Sequence, residues 1–256
     1  MRIAVCVKQV PDSYAEKRMS GGRIDRAASD RVLNDLDEYA IEAALRLAEA
    51  HSDTTITVVS MGPDEAGEAI RRALAMGAND AIHVCDPAIA GSDAPATARV
   101  LAAALAGRGF DIVMFGQEST DAKMGVVQAM VATLLDLPLL SYAASVSIEG
   151  DLVRIERRTE EGLEDLSARF PVALAVVEYI HEPRYPSFKG IMAARKAPLE
   201  RLDLAALGID PVTIGDAGSR TTVIDAAPRP PRAKGTIVTS DGAAALASYL
   251  TTEKLV

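Results

Sequence analysis

Residues 116–127, Gly-Gln-Glu-Ser-Thr-Asp-Ala-Lys-Met-Gly-Val-Val, combine the residue types of an anion-binding turn. They follow the apolar run Asp-Ile-Val-Met-Phe, which reads as a buried strand. Gly116 lets the backbone leave that strand sharply, and Ser119 and Thr120 supply hydroxyls. Gly125, Val126 and Val127 then stand at the start of a helical pattern, where backbone N–H groups are free to hold an anion. The phosphate-loop pattern Gly-x-x-x-x-Gly-Lys-Ser/Thr is missing, so the expected chemistry is nucleotide binding without hydrolysis. The same residues would also serve as an ordinary strand-to-helix loop with a polar cap.

Other chemistry is sparse. His51 ends a helical run, His83 lies in a strand-like run and His181 precedes a basic segment, so each reads as structural. Asp35 with Asp37, and Glu160 with Glu161, have the placing of helix caps and solvated turns. Cys6 and Cys85 share no metal-ligand spacing, and Cys6 reads as a small buried hydrophobe. No Gly-x-Gly-x-x-Gly follows the first strand, which disfavours a standard nicotinamide-binding domain. No catalytic group and no metal site is expected.

Residues 181–196, His-Glu-Pro-Arg-Tyr-Pro-Ser-Phe-Lys-Gly-Ile-Met-Ala-Ala-Arg-Lys, are unlike the rest of the chain. In a protein of net charge −9 they gather Arg184, Lys189, Arg195 and Lys196 around Tyr185, Phe188, Ile191 and Met192. The acidic whole argues against nucleic acid, which needs a basic footprint. A local basic and apolar patch points to an acidic protein partner. An internal loop at a helix start is the alternative.

The elements that must position these residues alternate. Val, Ile and Ala-rich runs at 3–10, 55–61, 81–84 and 111–116 read as strands. Helical spacing appears at 34–51, 64–77, 94–109 and roughly 123–135. Such alternation implies a parallel sheet with helices on both faces. Asn34 with Asp37 can cap the first helix. After Pro138 the runs 144–158, 162–170 and 172–180 read as successive β segments, with Glu149-Gly150-Asp151 as a hairpin turn. The fold class is therefore α/β, a doubly wound mostly parallel sheet with an antiparallel β extension.

Residues 1–227 are expected to form this body, and residues 228–256 a proline-rich arm that ends in a short helix. Leu246, Tyr249 and Leu250 could dock that helix on a second chain or back on the body; the former is preferred. No apolar run of about 18 residues suggests a membrane span. The first ten residues already read as a strand, leaving no leader, and the cysteine usage fits a cytoplasmic protein.

Five stretches, in order along the chain, resemble the β subunit of electron transfer flavoprotein: VCVKQVPDSY, NDLDEYAIEAALRL, RRALAMGANDAIHV, GQESTDAKMG and EPRYPSFKGIMAARK. The resemblance implies an adenine-nucleotide α-hydrolase-like sheet and a heterodimer whose α subunit holds most of a redox-active FAD. AMP would be a structural nucleotide in this chain. Its contacts would fall on Cys6, on Asn34, Asp35, Leu36 and Asp37, on Met61, and on Gly116, Ser119, Thr120, Asp121, Gly125, Val126 and Val127. Mitochondrial relatives carry Asn-Gln-Thr where this chain has Gly125-Val126-Val127, which leaves backbone contacts there.

By the same resemblance Tyr14 and Leu36 would approach the flavin. Residues 183–197 would be a partner recognition loop with Phe188 as its anchor, assisted by Arg184, Tyr185, Ile191, Met192, Arg195 and Lys196. The partners implied are acyl-CoA and related dehydrogenases as donors and an electron transfer flavoprotein–quinone oxidoreductase or equivalent as acceptor. Two further readings stand beside this one. One is a bifurcating or nitrogen-fixation-type relative with a second FAD in place of AMP; the other is a stand-alone nucleotide-binding stress-type module.

Overall fold

A computed structural model describes residues 1–256 except 16, 17, 27, 228, 229, 231, 233, 236 and 256. The chain opens with β1 (Arg2–Cys6), followed by the short strands β2 (Gln9–Pro11), β3 (Met19–Ser20), β4 (Arg23–Ile24) and β5 (Arg31–Leu33). Then come α1 (Asp35–Ala50), β6 (Thr55–Met61), α2 (Gly67–Met76), β7 (Asp80–Val84), α3 (Ala94–Leu105), β8 (Ile112–Gly116) and α4 (Val127–Leu134). Next are β9 (Leu139–Glu149), β10 (Leu152–Thr159), β11 (Gly162–Arg169) and β12 (Val172–Val176). The chain closes with α5 (Phe188–Ala194), β13 (Leu199–Leu202), the single turn α6 (Gly215–Gly218) and α7 (Gly242–Thr252).

Nine strands form one sheet in the order β11-β10-β9-β12-β8-β1-β6-β7-β13. β1 lies between β6 and β8, parallel to both, with Ile3 opposite Ile56 on one side and Ile112 on the other. Alternate residues of β1 serve opposite faces. Ile3 and Val5 pack with Ile41 and Ala44 of α1 and Ile70 of α2. Ala4 and Cys6 pack with Leu101 of α3 and Val131 of α4. Both faces are covered, so the strands are apolar without alternation, as a parallel sheet requires.

The antiparallel extension is present as β9, β10 and β11, and Gly150, at φ +64°, turns the first hairpin. The 172–180 run departs from expectation. Its strand, β12, is not a further antiparallel segment but sits parallel between β8 and β9, every residue buried. Five buried residues without polar alternation mark a central strand, and that was the available signal. β9 accordingly pairs in parallel with β12 at its start and antiparallel with β10 beyond, bending at Tyr142, where φ is +59°.

Strand β13 was not foreseen; it extends the parallel edge beside β7. The fourth helix begins at Val127 rather than near Lys123, because Lys123 (φ +49°) and Gly125 (φ +58°) hold left-handed backbone that no helix admits. α7 forms as expected and buries none of its residues among the described ones. The expected boundary at residue 228 lies outside the described residues.

The chain runs outward from β1 to β6 and β7, then returns to β8 on the other side of β1. This reversal opens a crevice beyond the carboxyl ends of β1 and β8, where ligands of open α/β sheets bind.

Candidate functional site: a crevice at the sheet's carboxyl edge and an exposed basic segment

Gly116 ends β8 at the crevice. A Cβ placed there would lie 2.5 Å from the Leu36 carbonyl oxygen and 2.7 Å from Asp37 Oδ1, so only glycine lets the strand end meet the N-terminus of α1. Asn34 occupies the N-cap position of α1, yet its side chain does not cap the helix. Instead Nδ2 donates to the Glu118 carbonyl (2.9 Å) and Oδ1 accepts the Thr120 N–H (3.0 Å). A buried amide thus holds residues 118–120 at both ends of a short arc. The expected cap by Asn34 and Asp37 is corrected: both side chains are spent on neighbouring segments. Asp37 Oδ2 accepts the Lys8 N–H (2.8 Å), which ties the exit of β1 to α1.

The far end of the loop is held by Gln128, buried in the first turn of α4. Its Nε2 donates to the carbonyls of Gly125 (2.8 Å) and Gln117 (3.2 Å). Between these clamps the N–H groups of Gly125, Val126, Val127 and Gln128 meet no acceptor among the described residues. The Thr120 hydroxyl is also buried without a partner. Four unspent N–H groups at a helix start and an orphan hydroxyl nearby fit an anionic group such as a phosphate.

The carboxylates below the loop carry opposite electrostatics. Asp121 has no exposed side-chain surface; its oxygens are taken by Lys8 Nζ (2.7 Å) and by Arg26. Burial alone would push its pKa up, but the Lys8 charge and hydrogen bonds from Lys8, Arg26 and Ser119 reverse this and hold it at about 2. Asp37 lacks such a cation in contact. Burial pushes its pKa up to about 7, against the pull of its Asn34 and Lys8 hydrogen bonds and with the Asp121 charge adding to the rise. Burial, followed by the Asp37 carboxylate, also pushes up the Cys6 thiol, which stays neutral.

The structure therefore joins Cys6, Asn34, Leu36, Asp37, Gly116, Ser119, Thr120, Asp121 and the turn 125–127 around one crevice. Met61 ends β6 and packs beneath it. Asp35 is exposed in the first turn of α1. Tyr14 stands in solvent, 98% exposed, with no side-chain hydrogen bond among the described residues. Lys8, Arg26 and Gln128 were not singled out from the sequence. Only Gln128, a lone polar residue in Val-Gln-Ala-Met-Val, left a local trace. Two surface hollows, of about 470 and 350 Å³, lie elsewhere: by the β3–β4 hairpin and residues 216–223, and between α1 and β9. Neither is lined by the orphan N–H groups, so the crevice is the better candidate.

The basic segment forms a separate surface. Ser187 caps α5, accepting the Gly190 N–H (3.0 Å), and α5 lies on α2 so closely that a Cβ on Gly190 would collide with the Ala75 carbonyl. Tyr185 and Phe188 are 86% and 81% exposed, with Ile191 and Met192 half-exposed beside them. Arg195 and Lys196 are exposed. Arg184 differs: its guanidinium is held by Glu42 and Glu49 of α1.

A family model for the electron transfer flavoprotein domain matches residues 21–207. The chain belongs to the electron transfer flavoprotein β-subunit family. It is 41% identical to the electron transfer flavoprotein subunit beta of Mycobacterium tuberculosis (strain ATCC 25618 / H37Rv), over 99% of both chains. The subunit beta of Megasphaera elsdenii is 38% identical over 93% of this chain and 91% of that one. The caffeyl-CoA reductase-Etf complex subunit CarD of Acetobacterium woodii is 33% identical over 93% of this chain and 92% of that one. The family resemblance read from the sequence holds. Among the described residues no helix is long and apolar enough to cross a membrane, and no group of three or more His, Cys, Asp or Glu could hold a metal.

The Asp37 environment predicts a pH dependence of known sign. Its folded pKa, about 7, exceeds the ordinary value of ~4, so the native chain keeps a proton that the unfolded chain releases. Stability should fall as pH rises from about 4 to about 7 and be flat above. Each pH unit over which one proton differs is worth ~1.4 kcal/mol. Asp37→Asn, which can still accept the Lys8 N–H, should lose this slope. Urea unfolding at pH 5 and pH 8 measures it; equal slopes in wild type and variant would contradict the assignment.

Proposed function

We propose that this chain is the β subunit of a heterodimeric electron carrier and that its crevice holds AMP as a structural nucleotide. The observation that carries the nucleotide is the set of unpaired N–H groups at 125–128, with the loop before them clamped by Asn34. Backbone donors recognise a phosphate whatever the side chains are, so Val126 and Val127 are no obstacle. The candidate carboxylates are engaged within the chain, Asp121 by Lys8 and Arg26 and the buried Asp37 by the Lys8 N–H, and the Cys6 thiol is neutral, which favours binding over hydrolysis. Binding without turnover follows, and the chain is a carrier subunit rather than an enzyme.

FAD, held mainly by an α subunit, would supply the redox chemistry. This chain's share would be Leu36 at the crevice edge and Tyr14, whose exposed ring is available to a partner chain. α7, with Leu246 and Tyr249 more than half exposed, would dock on the α subunit. The 183–197 segment would bind acyl-CoA and related dehydrogenases, and a quinone oxidoreductase or equivalent would receive the electrons. The cytoplasm is the proposed compartment.

Three outcomes are expected. Gly125→Pro removes an N–H and cannot adopt φ +58°, so the complex should lose its adenine nucleotide, measured after denaturation, while the flavin stays reducible. A full nucleotide complement in the variant would contradict the placement, and a second FAD in wild type would replace AMP by flavin in this subunit. Ending the chain at Ala227 should abolish co-purification with the α subunit yet leave thermal unfolding of the isolated chain nearly unchanged. Collapse of the isolated chain would mean that the arm folds back.

Phe188→Ala should cost ~2 kcal/mol of dehydrogenase binding, the loss typical of a buried aromatic anchor. That is roughly a thirtyfold loss of affinity. It would be read as the dehydrogenase-driven reduction rate against carrier concentration at matched flavin content. Superimposable curves would remove the anchor.

A further inference from the structure

The docking segment is charged, yet one of its cations faces inward. Glu42, in the middle of α1, is 2% exposed. Its Oε2 accepts the Arg184 Nε–H (2.7 Å) and the Arg184 backbone N–H (3.2 Å), and its Oε1 accepts Arg184 Nη2 (3.0 Å). Arg184 Nη1 reaches on to Glu49 (2.6 Å), about two turns further along the same face of α1. Arg46 Nε completes the Glu42 carboxylate at 2.8 Å. Three donors of Arg184's side chain and its own N–H are thus spent on α1, in the fork geometry that a guanidinium suits and an ammonium does not.

Burial alone would push the Glu42 carboxyl up, but the Arg184 and Arg46 bonds outweigh it and keep it ionised. The segment's other cations make no ion pair within its own chain among the described residues.

This network sits where the segment needs a fixed point. Residues 181–187 contain no helix or strand, and two prolines flank Arg184-Tyr185. Loops of this kind have few backbone bonds to hold them. Past Ser187 the segment is fixed again, because α5 is seated on α2 at Gly190. Between its departure from the sheet after β12 and that seat, the Arg184–Glu42–Glu49 clamp provides three of the described hydrogen bonds to α1 from one side chain. Tyr185, one residue beyond the clamp and short of that seat, is the exposed aromatic residue whose direction it sets.

We infer that Arg184 is a positioning residue for partner docking: clamped to Glu42 and Glu49, it holds the 183–187 stretch, with Tyr185, in its binding conformation beside the α2-seated α5 and does not itself contact the partner. The inference rests on the reading of this segment as the docking surface. A clamp acts through the fraction of molecules that are ready to bind, so its loss raises the apparent binding constant in proportion to the fall in that fraction. The rate at saturation is untouched. A direct contact would change affinity without changing the free carrier.

The test uses the intact heterodimer with its cofactors and the cell's own acyl-CoA dehydrogenase. Arg184→Lys keeps the charge and loses the fork. It should raise amide hydrogen exchange at Arg184, Tyr185 and Ser187 in the free carrier at least severalfold, with α5 unchanged. The KM for the carrier should rise about tenfold, with kcat, flavin content and dithionite reduction unchanged. Glu49→Ala, an exposed change that removes only the outer bond, should shift both readouts the same way by two- to threefold, and it remains informative should Arg184→Lys fold poorly.

A raised KM with unchanged exchange would make Arg184 a direct contact and overturn the inference. Unchanged exchange and KM in both variants would overturn it as well. Faster exchange with an unchanged KM would leave the clamp in place but remove the docking surface, so that the failure falls on the functional reading.

Discussion

The Asn34 carboxamide is the point on which the crevice depends. One side chain, buried at the N-terminus of α1, gives its N–H to the Glu118 carbonyl and takes the N–H of Thr120. Without it the loop after β8 would have to satisfy two backbone groups elsewhere or leave them unpaired, at a cost of roughly 1–3 kcal/mol per buried group. With it the loop lies against α1, Gly116 can meet the Leu36 carbonyl, and the chain reaches the turn at Gly125 with its N–H groups unspent. Lys8, Asp121 and Arg26 then close the floor. α1 itself carries Glu42 and Glu49, so the helix that shapes the nucleotide crevice also holds the segment proposed to meet the partner.

Much of the fold was legible because both faces of the sheet are covered. Short Val, Ile and Ala runs separated by 3.6-periodic stretches admit few other architectures, and α1, α2, α3, β6, β7 and β8 lie where that pattern puts them. Three β-like runs in succession suggest a meander, yet the outer half of β9 with β10 and β11 alternates polar with apolar, whereas β12 is apolar throughout and belongs at the centre. β13 was missed because four residues on an edge carry little hydrophobic pattern.

The crevice was legible by type but not by wiring. Gly116 and the turn at 125–127 mark a candidate anion site from local chemistry alone, which the unpaired N–H groups support. Asn34 reads locally as a helix cap, since that is the commonest use of asparagine before a helix; its true partners are 84 and 86 residues away. Lys8 and Asp121 lie 113 residues apart. Pairings at that separation have no local signature and are set by which strand ends the topology brings together. Arg184 belongs to the same class: composition groups it with the exposed cations of its segment, and only the fold shows it turned toward α1.

The division of labour is physically coherent for a carrier subunit. Its interior carboxylates are engaged within the chain, Asp121 by Lys8 and Arg26 and Asp37 by the Lys8 N–H. What the surface offers is an apolar α7, an exposed Tyr14 and a basic segment on an otherwise acidic body. All three are proposed to meet other proteins. The most direct measurement is a native mass spectrum of the complex isolated with this chain. The account predicts one α subunit, one copy of this chain, one FAD and one AMP. A chain recovered alone, or a complex without adenine mononucleotide, would contradict it.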